Sequence, residues 1–328
     1  MILHYESRFG LARGAIFKAG RAHLYMEGLE ADPSLGLPGT RSIARLKGRA
    51  GGVAFLDLAD GAEAILDAPD LAKIPDGTAV EVDIAAEARR DKLARARLVR
   101  TAPGEAPRRL SPVPTLKVRL LAEAEACFGT AEYDMDSDPD ALDEAADDAL
   151  APRPDMPGGG ALHIERTRAL IACDVDGQGL AEARARTNER AVAEVVRRLR
   201  LTGLAGLVVV DLIGRRHDDR RLHEVLRTAF AAEAASIVVA PKNPFGTLEF
   251  IRPWRTCPPA DLPSVLRQTG GLLRAAARQA EHTPGRMLTL RAPPEVLDKV
   301  GSRIEGSLDP LAPLLRLAPG PACEVIAS

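Results

Sequence analysis

The fold is decided by residues 162–251, which contain the segments LHIERTRALIACDVDGQG (162–179), GLAGLVVVDLIG (203–214) and SIVVAPKNPFGTLEFI (236–251). The first two segments each contain an apolar run that ends in a carboxylate, Asp174 and Asp211 respectively. A short apolar run with β-branched members, bounded by Gly and Asp, predicts a buried strand. Amphipathic helical patterns separate these runs, so the stretch predicts a largely parallel or mixed sheet with helices packed on it.

Asp174 and Asp211 are predicted to lie at the rim of this sheet, where open α/β folds place their chemistry. Two acids on separate strands can share one hard divalent cation such as Mg2+. Asp176 is spaced to lie on the same face as Asp174. The alternative is structural, because Asp after a strand is also a common helix N-cap or turn residue. The residues alone leave both interpretations open.

Composition limits the classes of function. The 328 residues predict two or three domains at ~150 residues each. Hydrophobic residues make up 46% of the chain but aromatic residues only 3%, so Ala, Leu and Val must fill the core. The net charge of -2 gives no global field that attracts nucleic acid, so any RNA binding requires local basic patches.

Compartment and redox state are also indicated by the sequence. No apolar run reaches the ~18 residues that a bilayer span needs. The first residues, MILHYE, lack the pattern of a signal peptide. The four cysteines are scattered without a CxxC pair, so disulfides are not implied. These features predict a cytoplasmic protein that does not associate with membranes.

Residues 38–102 have the pattern of a small β-barrel. Five short segments, several of them alternating polar and apolar residues, are separated by Gly-containing turns. That pattern predicts an OB-fold barrel, a fold that binds single strands through a basic groove and exposed aromatic residues. Upstream of it, residues 14–26 have the pattern of a β-hairpin.

The motifs between residues 158 and 249 resemble the catalytic region of the ribonuclease E/G family of bacterial endoribonucleases. That family carries a Gly-Gly hairpin, a Thr-Glu-Ala-Leu segment, a strand ending in Asp-Ile/Val-Asn, a Thr-Asn helix ending in Arg-Leu-Arg, a second strand ending in Asp, and a Phe-Gly-Leu-Leu-Glu segment. The corresponding residues here follow the same order: 158–160, 167–170, 174–176, 187–188, 199–201, 205–213 and 245–249. The ordered set, rather than any single motif, carries the resemblance.

The resemblance implies an α/β (α+β multidomain) fold. It combines an OB-fold-like β-barrel, a deoxyribonuclease-I-like α/β catalytic domain and a small C-terminal α/β domain. The predicted divisions are an N-terminal β-hairpin region matching part of the family's ribonuclease H-like subdomain (1–37), an OB-fold RNA-binding domain (38–102), a linker with an acidic segment (103–160), the catalytic domain (161–256) and the C-terminal domain (257–328).

The implied activity is Mg2+-dependent endonucleolytic cleavage of single-stranded RNA that leaves 5′-phosphate and 3′-hydroxyl ends. In this reading Asp174 and Asp211 hold the metal. Asp176 takes the position of a family Asn that orients the metal site or the nucleophile.

The predicted RNA-binding residues lie on the barrel. Phe55 matches an aromatic residue with which the family grips RNA, and Lys92 matches a basic residue of its last hairpin. Arg45 and Lys47 are further basic candidates on the first barrel strand. A plain core position is the alternative for Phe55.

The chain departs from the family in several places. It has no counterpart of the segment that senses a 5′-monophosphate. Ile65 stands where the family has a second aromatic residue. Cys257-Pro258-Pro259-Ala260 replaces the Cys-Pro-x-Cys zinc motif, so zinc is not expected. The family dimerises, which implies a homodimer through the C-terminal domain. A catalytically degenerate RNA-binding paralogue is the main alternative function, and a generic metal-dependent phosphohydrolase is a third.

Two charged stretches receive structural predictions. Arg197, Arg198 and Arg200 are predicted to contact phosphate or, for at least two of them, to form a solvated helix face. The acids between residues 132 and 148 are predicted to form a solvated helix or a disordered loop, because their spacing lacks the Gly and Glu of a calcium-binding loop.

Overall fold

The computed structural model describes residues 1–32, 36–59, 61–67, 74–90, 92–151, 156–177, 184–214, 217–241 and 243–327. The described residues form four β-sheets with helices packed against three of them. No helix among them is long and apolar enough to cross a membrane.

The N-terminal sheet contains three consecutive antiparallel strands, β1 (Ile2–Arg8), β2 (Leu11–Lys18) and β3 (Arg21–Leu29). The predicted hairpin is confirmed as β2 and β3, which turn at Ala19 and Gly20 with positive φ angles. Alternation along β3 separates two cores, because Leu24 and Met26 face one side while Tyr25 faces the other.

A closed barrel of five strands follows, as the sequence predicts. Its strands are β4 (Arg41–Ala50), β5 (Val53–Asp57), β6 (Glu63–Asp67), β7 (Ala79–Ala86) and β8 (Ala94–Thr101), and the two-residue strand β9 (Arg108–Arg109) pairs with β4. The sheet closes because β5 pairs with both β4 and β6. Small and branched side chains such as Ala54, Leu56 and Val82 fill the barrel, consistent with the low aromatic content.

Residues 116–150 cover both faces of the N-terminal sheet. The segment contains α1 (Leu116–Phe128), β10 (Asp134–Asp136), which runs parallel to β1, and α2 (Pro139–Leu150). Thr115 caps α1, and its side chain accepts a hydrogen bond from the Val118 backbone N–H. Of the two predictions for the acidic segment, the helix is confirmed by α2. One face of this helix is buried, however, so it is not solvated all round.

The sheet in the region predicted to be catalytic, named the catalytic sheet, consists of β11 (Ala161–Arg166), β12 (Ile171–Asp176), β13 (Gly206–Asp211), β14 (Val238–Val239) and β15 (Thr247–Arg252) in the order β11-β12-β13-β15-β14. Among the described strands of this sheet, β12 and β13 pair in parallel and the other neighbours are antiparallel. The helices α3 (Arg184–Leu201) and α4 (Asp219–Phe230) bury one face of the sheet. The opposite face is left largely uncovered, with Leu207, Val238 and Ile251 exposed.

The second helix of this unit is shorter than predicted. The pattern from residue 218 to residue 233 predicts one helix, but α4 ends at Phe230. Ala231 has a φ of 45°, a left-handed conformation that an α-helix cannot continue through. A 3-10 helix, Ala231–Ser236, then leads into the edge strand β14.

The C-terminal unit contains α5 (Ser264–His282), β16 (Leu288–Ala292), α6 (Pro294–Ile304), β17 (Leu315–Pro319) and β18 (Glu324–Ala327). Its three strands form a small sheet in the order β17-β16-β18, on which α5 and α6 pack. The sequence predicts both helices and the first strand within a few residues of these bounds.

A buried ionic cluster joins these parts. Glu233 has no exposed side-chain surface and accepts hydrogen bonds from Arg200 Nε (2.5 Å), Arg252 Nε (2.9 Å) and Arg255 Nη2 (2.8 Å). Glu123 on α1 accepts two more from Arg255. Burial disfavours ionisation of Glu233, but the charges of Arg252, Arg200 and Arg255 prevail and lower its pKa to about 2.

Glu233→Gln tests this cluster. The substitution leaves three arginines without their shared charge, so we expect a loss of about 3 kcal/mol or more in the free energy of unfolding at neutral pH. Because the folded-state pKa is depressed, the contribution of Glu233 is complete above about pH 4.5 and is lost as the pH falls toward 2. The difference from the wild-type protein in denaturant unfolding should therefore shrink over that interval.

The matched control is Glu224→Gln, which neutralises an exposed glutamate paired with Arg221. An exposed pair of this kind contributes under about 1 kcal/mol. Equal effects of the two substitutions at neutral pH would contradict the importance assigned to the buried cluster.

Candidate functional site

The register of β12 and β13 brings the two predicted metal ligands together. The strands are parallel, and the Cα of Asp174 lies opposite the Cα of Asp211. Cys173 and Val210, one residue earlier, point into the core between the sheet and its helices. Alternation therefore directs both carboxylates to the uncovered face, where both residues are exposed.

The neighbouring strands extend this pair into a row. His163 of β11 lies across from Asp174, and Thr247 of β15 lies across from Asp211. Asp176 is two residues beyond Asp174 on the same face and is also exposed. The three acids predicted from the sequence thus occupy one end of the uncovered face.

The local environment of Asp174 and Asp211 fits a hard cation. Within the part of the chain that the structure describes, neither carboxylate has a hydrogen bond or an ion pair, so no arginine or lysine there offsets the two adjacent negative charges. No group of three or more metal-ligating side chains occurs among the described residues. Two carboxylates are nonetheless a donor set that suits Mg2+, which keeps several waters and takes one or two protein carboxylates.

The alternative role as helix caps does not apply to these residues. Asp174 and Asp211 both lie within strands. The N-cap of α4 is Asp218, whose carboxylate accepts a hydrogen bond from the Arg221 backbone.

Asn188 fixes the loop that follows Asp211. Its Oδ1 accepts a hydrogen bond from Ile213 N (3.0 Å), and its Nδ2 donates to Ile213 O (3.3 Å). The side chain is buried at the start of α3, so both backbone groups of Ile213 depend on it. The sequence shows Asn188 only as part of the Thr-Asn motif. Its role follows from its contact with Ile213, which lies 25 residues later in the chain.

Phe245 is a second residue that sequence reasoning did not assign. Asn243 Oδ1 accepts hydrogen bonds from the backbone N–H groups of Phe245 (3.0 Å) and Gly246 (3.1 Å), which holds a tight turn before β15. The Phe245 ring is 78% exposed, an unusual position for an aromatic side chain in this chain. Thr247, two residues later, is the cross-strand partner of Asp211, so the ring lies beside the acidic end of the sheet.

Three of the predicted RNA-binding residues lie on the barrel surface. Phe55 is half-buried, outside the barrel core, and pairs with Ile65 and Gly48. Lys47 is exposed, but its amine contacts Asp57 (3.0 Å) and Glu63 (2.7 Å).

Arg45 is exposed on the same strand as Lys47 and donates a hydrogen bond from Nη1 to Gly77 O (3.0 Å). Lys92 is separate from this group. It lies in the β7–β8 hairpin, against the end of the catalytic sheet where β12 and β13 begin.

The prediction for the arginines of α3 is wrong. Arg197, Arg198 and Arg200 are buried, with side-chain exposures of 5%, 2% and 4%. Asp148 of α2 pairs with Arg197 and Arg198, and Glu233 pairs with Arg200. The acidic helix α2 lies against α3 and neutralises it, a long-range contact that periodicity does not reveal.

Cys257, the cysteine that remains of the family's zinc motif, is half-buried. Burial, followed by the nearby charges of Glu87 and Asp261, raises its pKa to about 12. Its backbone N–H donates to Glu87 Oε2 (2.9 Å), which ties the segment to the barrel. The expectation that this chain takes no zinc stays a prediction.

The sequence segment that forms this site matches a known family. Residues 137–255 fit the model of the Ribonuclease E/G family. The chain is 37% identical over 119 residues to Ribonuclease E of a Nostoc species, and 36% identical over 106 residues to Ribonuclease E of Escherichia coli. It is 28% identical over 121 residues to the chloroplastic Ribonuclease E/G-like protein of Arabidopsis thaliana.

These alignments cover 34%, 30% and 34% of the chain, and 17%, 10% and 12% of the three relatives. The matched segment contains the sheet with the paired acids, its helices and α2. The matched segment is thus a mixed α/β unit with two exposed carboxylates on adjacent strands. Over this segment the chain is similar to the ribonuclease E/G family.

Asn188→Leu tests how the loop after Asp211 is held. The change removes both hydrogen bonds and leaves two backbone groups of Ile213 unsatisfied, so we expect a loss of roughly 1–3 kcal/mol in stability. Hydrogen–deuterium exchange should accelerate at the amides of residues 212–214. Asn188→Asp keeps the acceptor for Ile213 N–H and should produce a smaller change. Unaltered exchange in Asn188→Leu would show that other contacts hold the loop.

Proposed function

We propose that this chain is a Mg2+-dependent endoribonuclease that cuts single-stranded RNA and leaves 5′-phosphate and 3′-hydroxyl ends. The observation that supports this most directly is the parallel register that makes Asp174 and Asp211 exposed neighbours. The similarity to proteins named Ribonuclease E supports the substrate class.

Asp174 and Asp211 would hold the metal through their carboxylate oxygens. Bound Mg2+ would supply polarisation of the scissile phosphate and a lowered pKa for a coordinated water. The carboxylate of Asp176 would accept a hydrogen bond from the attacking water and orient it. Asp accepts such a bond as the family's Asn does, but it cannot donate one.

Phe245 would position the RNA at this end of the sheet. An exposed ring held by a rigid turn can stack a base without sequence preference. The Asn243 hydrogen bonds fix the turn before RNA arrives, so little ordering cost remains on binding.

We assign the closed barrel to the OB type and propose that it carries part of the RNA strand. Phe55 and Ile65 form an apolar cross-strand pair on its outer surface, with Arg45 on the strand beside them. Lys47 is the weakest candidate, because Asp57 and Glu63 already offset its charge.

The alternative is an RNA-binding protein that does not cut. Asp176 favours it, because a third negative charge beside the pair can displace the attacking water or bind a cation unproductively. Cleavage of a labelled AU-rich single strand, measured with Mg2+ and with EDTA, separates the two functions.

Asp211→Asn tests the proposed metal site. A neutral amide is a poorer ligand for a hard dication, so Mg2+-dependent cleavage should fall at least roughly 100-fold, the upper end of what removing a supporting group costs. The melting temperature should stay the same or rise slightly, because the repulsion between two adjacent carboxylates is removed.

Asp176→Asn is the matched control, since it makes the same chemical change at the neighbouring acid. Cleavage should be retained or increased in this variant, because Asn is the residue that the family carries there. An active Asp211→Asn variant with a normal melting temperature would rule out the proposed mechanism.

A further inference from the structure

A cavity of about 460 Å³ lies where the barrel meets the catalytic sheet. The β7–β8 hairpin, the turn between β11 and β12, the first residues of β12 and β13, and Trp254 form its walls. The strands run from this cavity toward the acids. At ~3.3 Å per residue, the five steps from Gly206 to Asp211 separate the two ends by roughly 16 Å.

Barrel and sheet are fixed to one another at this cavity. Glu87, at the end of β7, accepts a hydrogen bond from Arg119 of α1 (2.7 Å), and its backbone N–H donates to Arg255 O (2.9 Å). Arg90 of the hairpin donates to Asp261 Oδ1 (2.9 Å). The cavity is therefore a preformed feature rather than a gap between independent units.

The lining of the cavity carries an excess of positive charge. Its cationic residues are Arg89, Arg90, Lys92, Arg166 and Arg168. Asp261 pairs with two of them, Arg90 at 2.9 Å and Arg166 at 2.6 Å. The other three make no ion pair with any described residue, and Arg168 and Lys92 are exposed.

Trp254 gives the same cavity an aromatic wall. The guanidinium of Arg89 lies 4.2 Å from the centroid of its ring, and that of Arg166 lies 5.0 Å away. Gly206 makes this packing possible: it has a φ of 99°, and a Cβ there would lie 3.1 Å from the indole Nε1. Burial, with the charge of Arg166 adding to it, lowers the pKa of Arg89, and the charge of Asp261 offsets this only in part.

We propose that this cavity, the Trp254 site, binds one nucleotide of a single-stranded RNA, with Arg168 and Lys92 contacting a phosphate and the base stacking on the Arg89–Trp254 pair. Unpaired cations beside an aromatic platform are the combination with which proteins hold single strands. Guanidinium planes also stack on bases. The assignment of RNA as the ligand rests on the proposed function.

The site would anchor the strand at the end of the sheet opposite the acids. Between the two ends, the uncovered face offers Ala172 and Val209, which are half-buried and uncharged, and their cross-strand partners are Glu165 and Glu249. A free mononucleotide or inorganic phosphate has part of the same chemistry, and the experiment must separate these ligands from an RNA strand.

Trp254 is the only tryptophan in the chain, so its fluorescence reports on this site alone. The wild-type protein is titrated in EDTA, which prevents cleavage, with oligouridylate, uridine monophosphate and inorganic phosphate. We expect saturable quenching by oligouridylate at concentrations at least roughly tenfold below those of the mononucleotide, because a strand adds further phosphate contacts. Equal affinity for the mononucleotide would overturn RNA as the ligand, and no spectral change with any probe would overturn the site.

Arg168→Glu reverses an exposed charge in the cavity, and Arg316→Glu makes the same change on the distant C-terminal unit. Only Arg168→Glu should weaken oligouridylate binding, at least roughly fivefold, and reduce the slope of log affinity against log salt by roughly one. Identical affinities for the two variants would contradict the proposal. Binding in EDTA does not depend on cleavage. A protein that binds RNA at the Trp254 site but does not cut it would therefore contradict the proposed function and leave the Trp254 site supported.

Discussion

The pairing of Glu233 with Arg200, Arg252 and Arg255 is the interaction on which the other parts of this structure depend. Glu233 follows α4, Arg200 lies in the last turn of α3 and Arg252 ends β15, so one carboxylate links both helices to the sheet. Glu123 extends the cluster to α1 and hence to the N-terminal sheet. Charges buried this completely are tolerated only when each has its partners, so the cluster specifies one relative placement of the layers.

That placement leaves the catalytic sheet covered on one side only. The helices bury the face that carries Cys173 and Val210, and strand alternation then directs Asp174 and Asp211 to the other. The acids meet because β12 and β13 pair in parallel, so that equivalent strand ends share an edge of the sheet. A shift of one residue in either strand would bury its acid in the core, so the core packing itself protects the site.

The barrel is fixed to the opposite end of the sheet. Glu87 and Arg90 hold its last hairpin against α1, Arg255 and Asp261, and the resulting cavity gathers cations that are far apart in sequence. The chain as a whole is nearly neutral, and many of its arginines form ion pairs with carboxylates of the same chain. Affinity for an anionic strand must then come from local cations, such as Arg168 and Lys92, that make no ion pair with a described residue.

The sequence by itself determined the elements that depend on neighbouring residues. Alternation and apolar runs predict the barrel strands, β12 and β13, and the end of each run marks Asp174 and Asp211. Tertiary structure alone decided the contacts that join distant residues. Arg197 has the local pattern of a surface arginine, yet Asp148, 49 positions away, neutralises it. The role of Trp254 likewise depends on its contacts with Arg89 and Arg166. Periodicity predicts which face of a helix or strand is apolar. The role of a charged or aromatic side chain depends on which residues pack against it, and these come from distant parts of the chain.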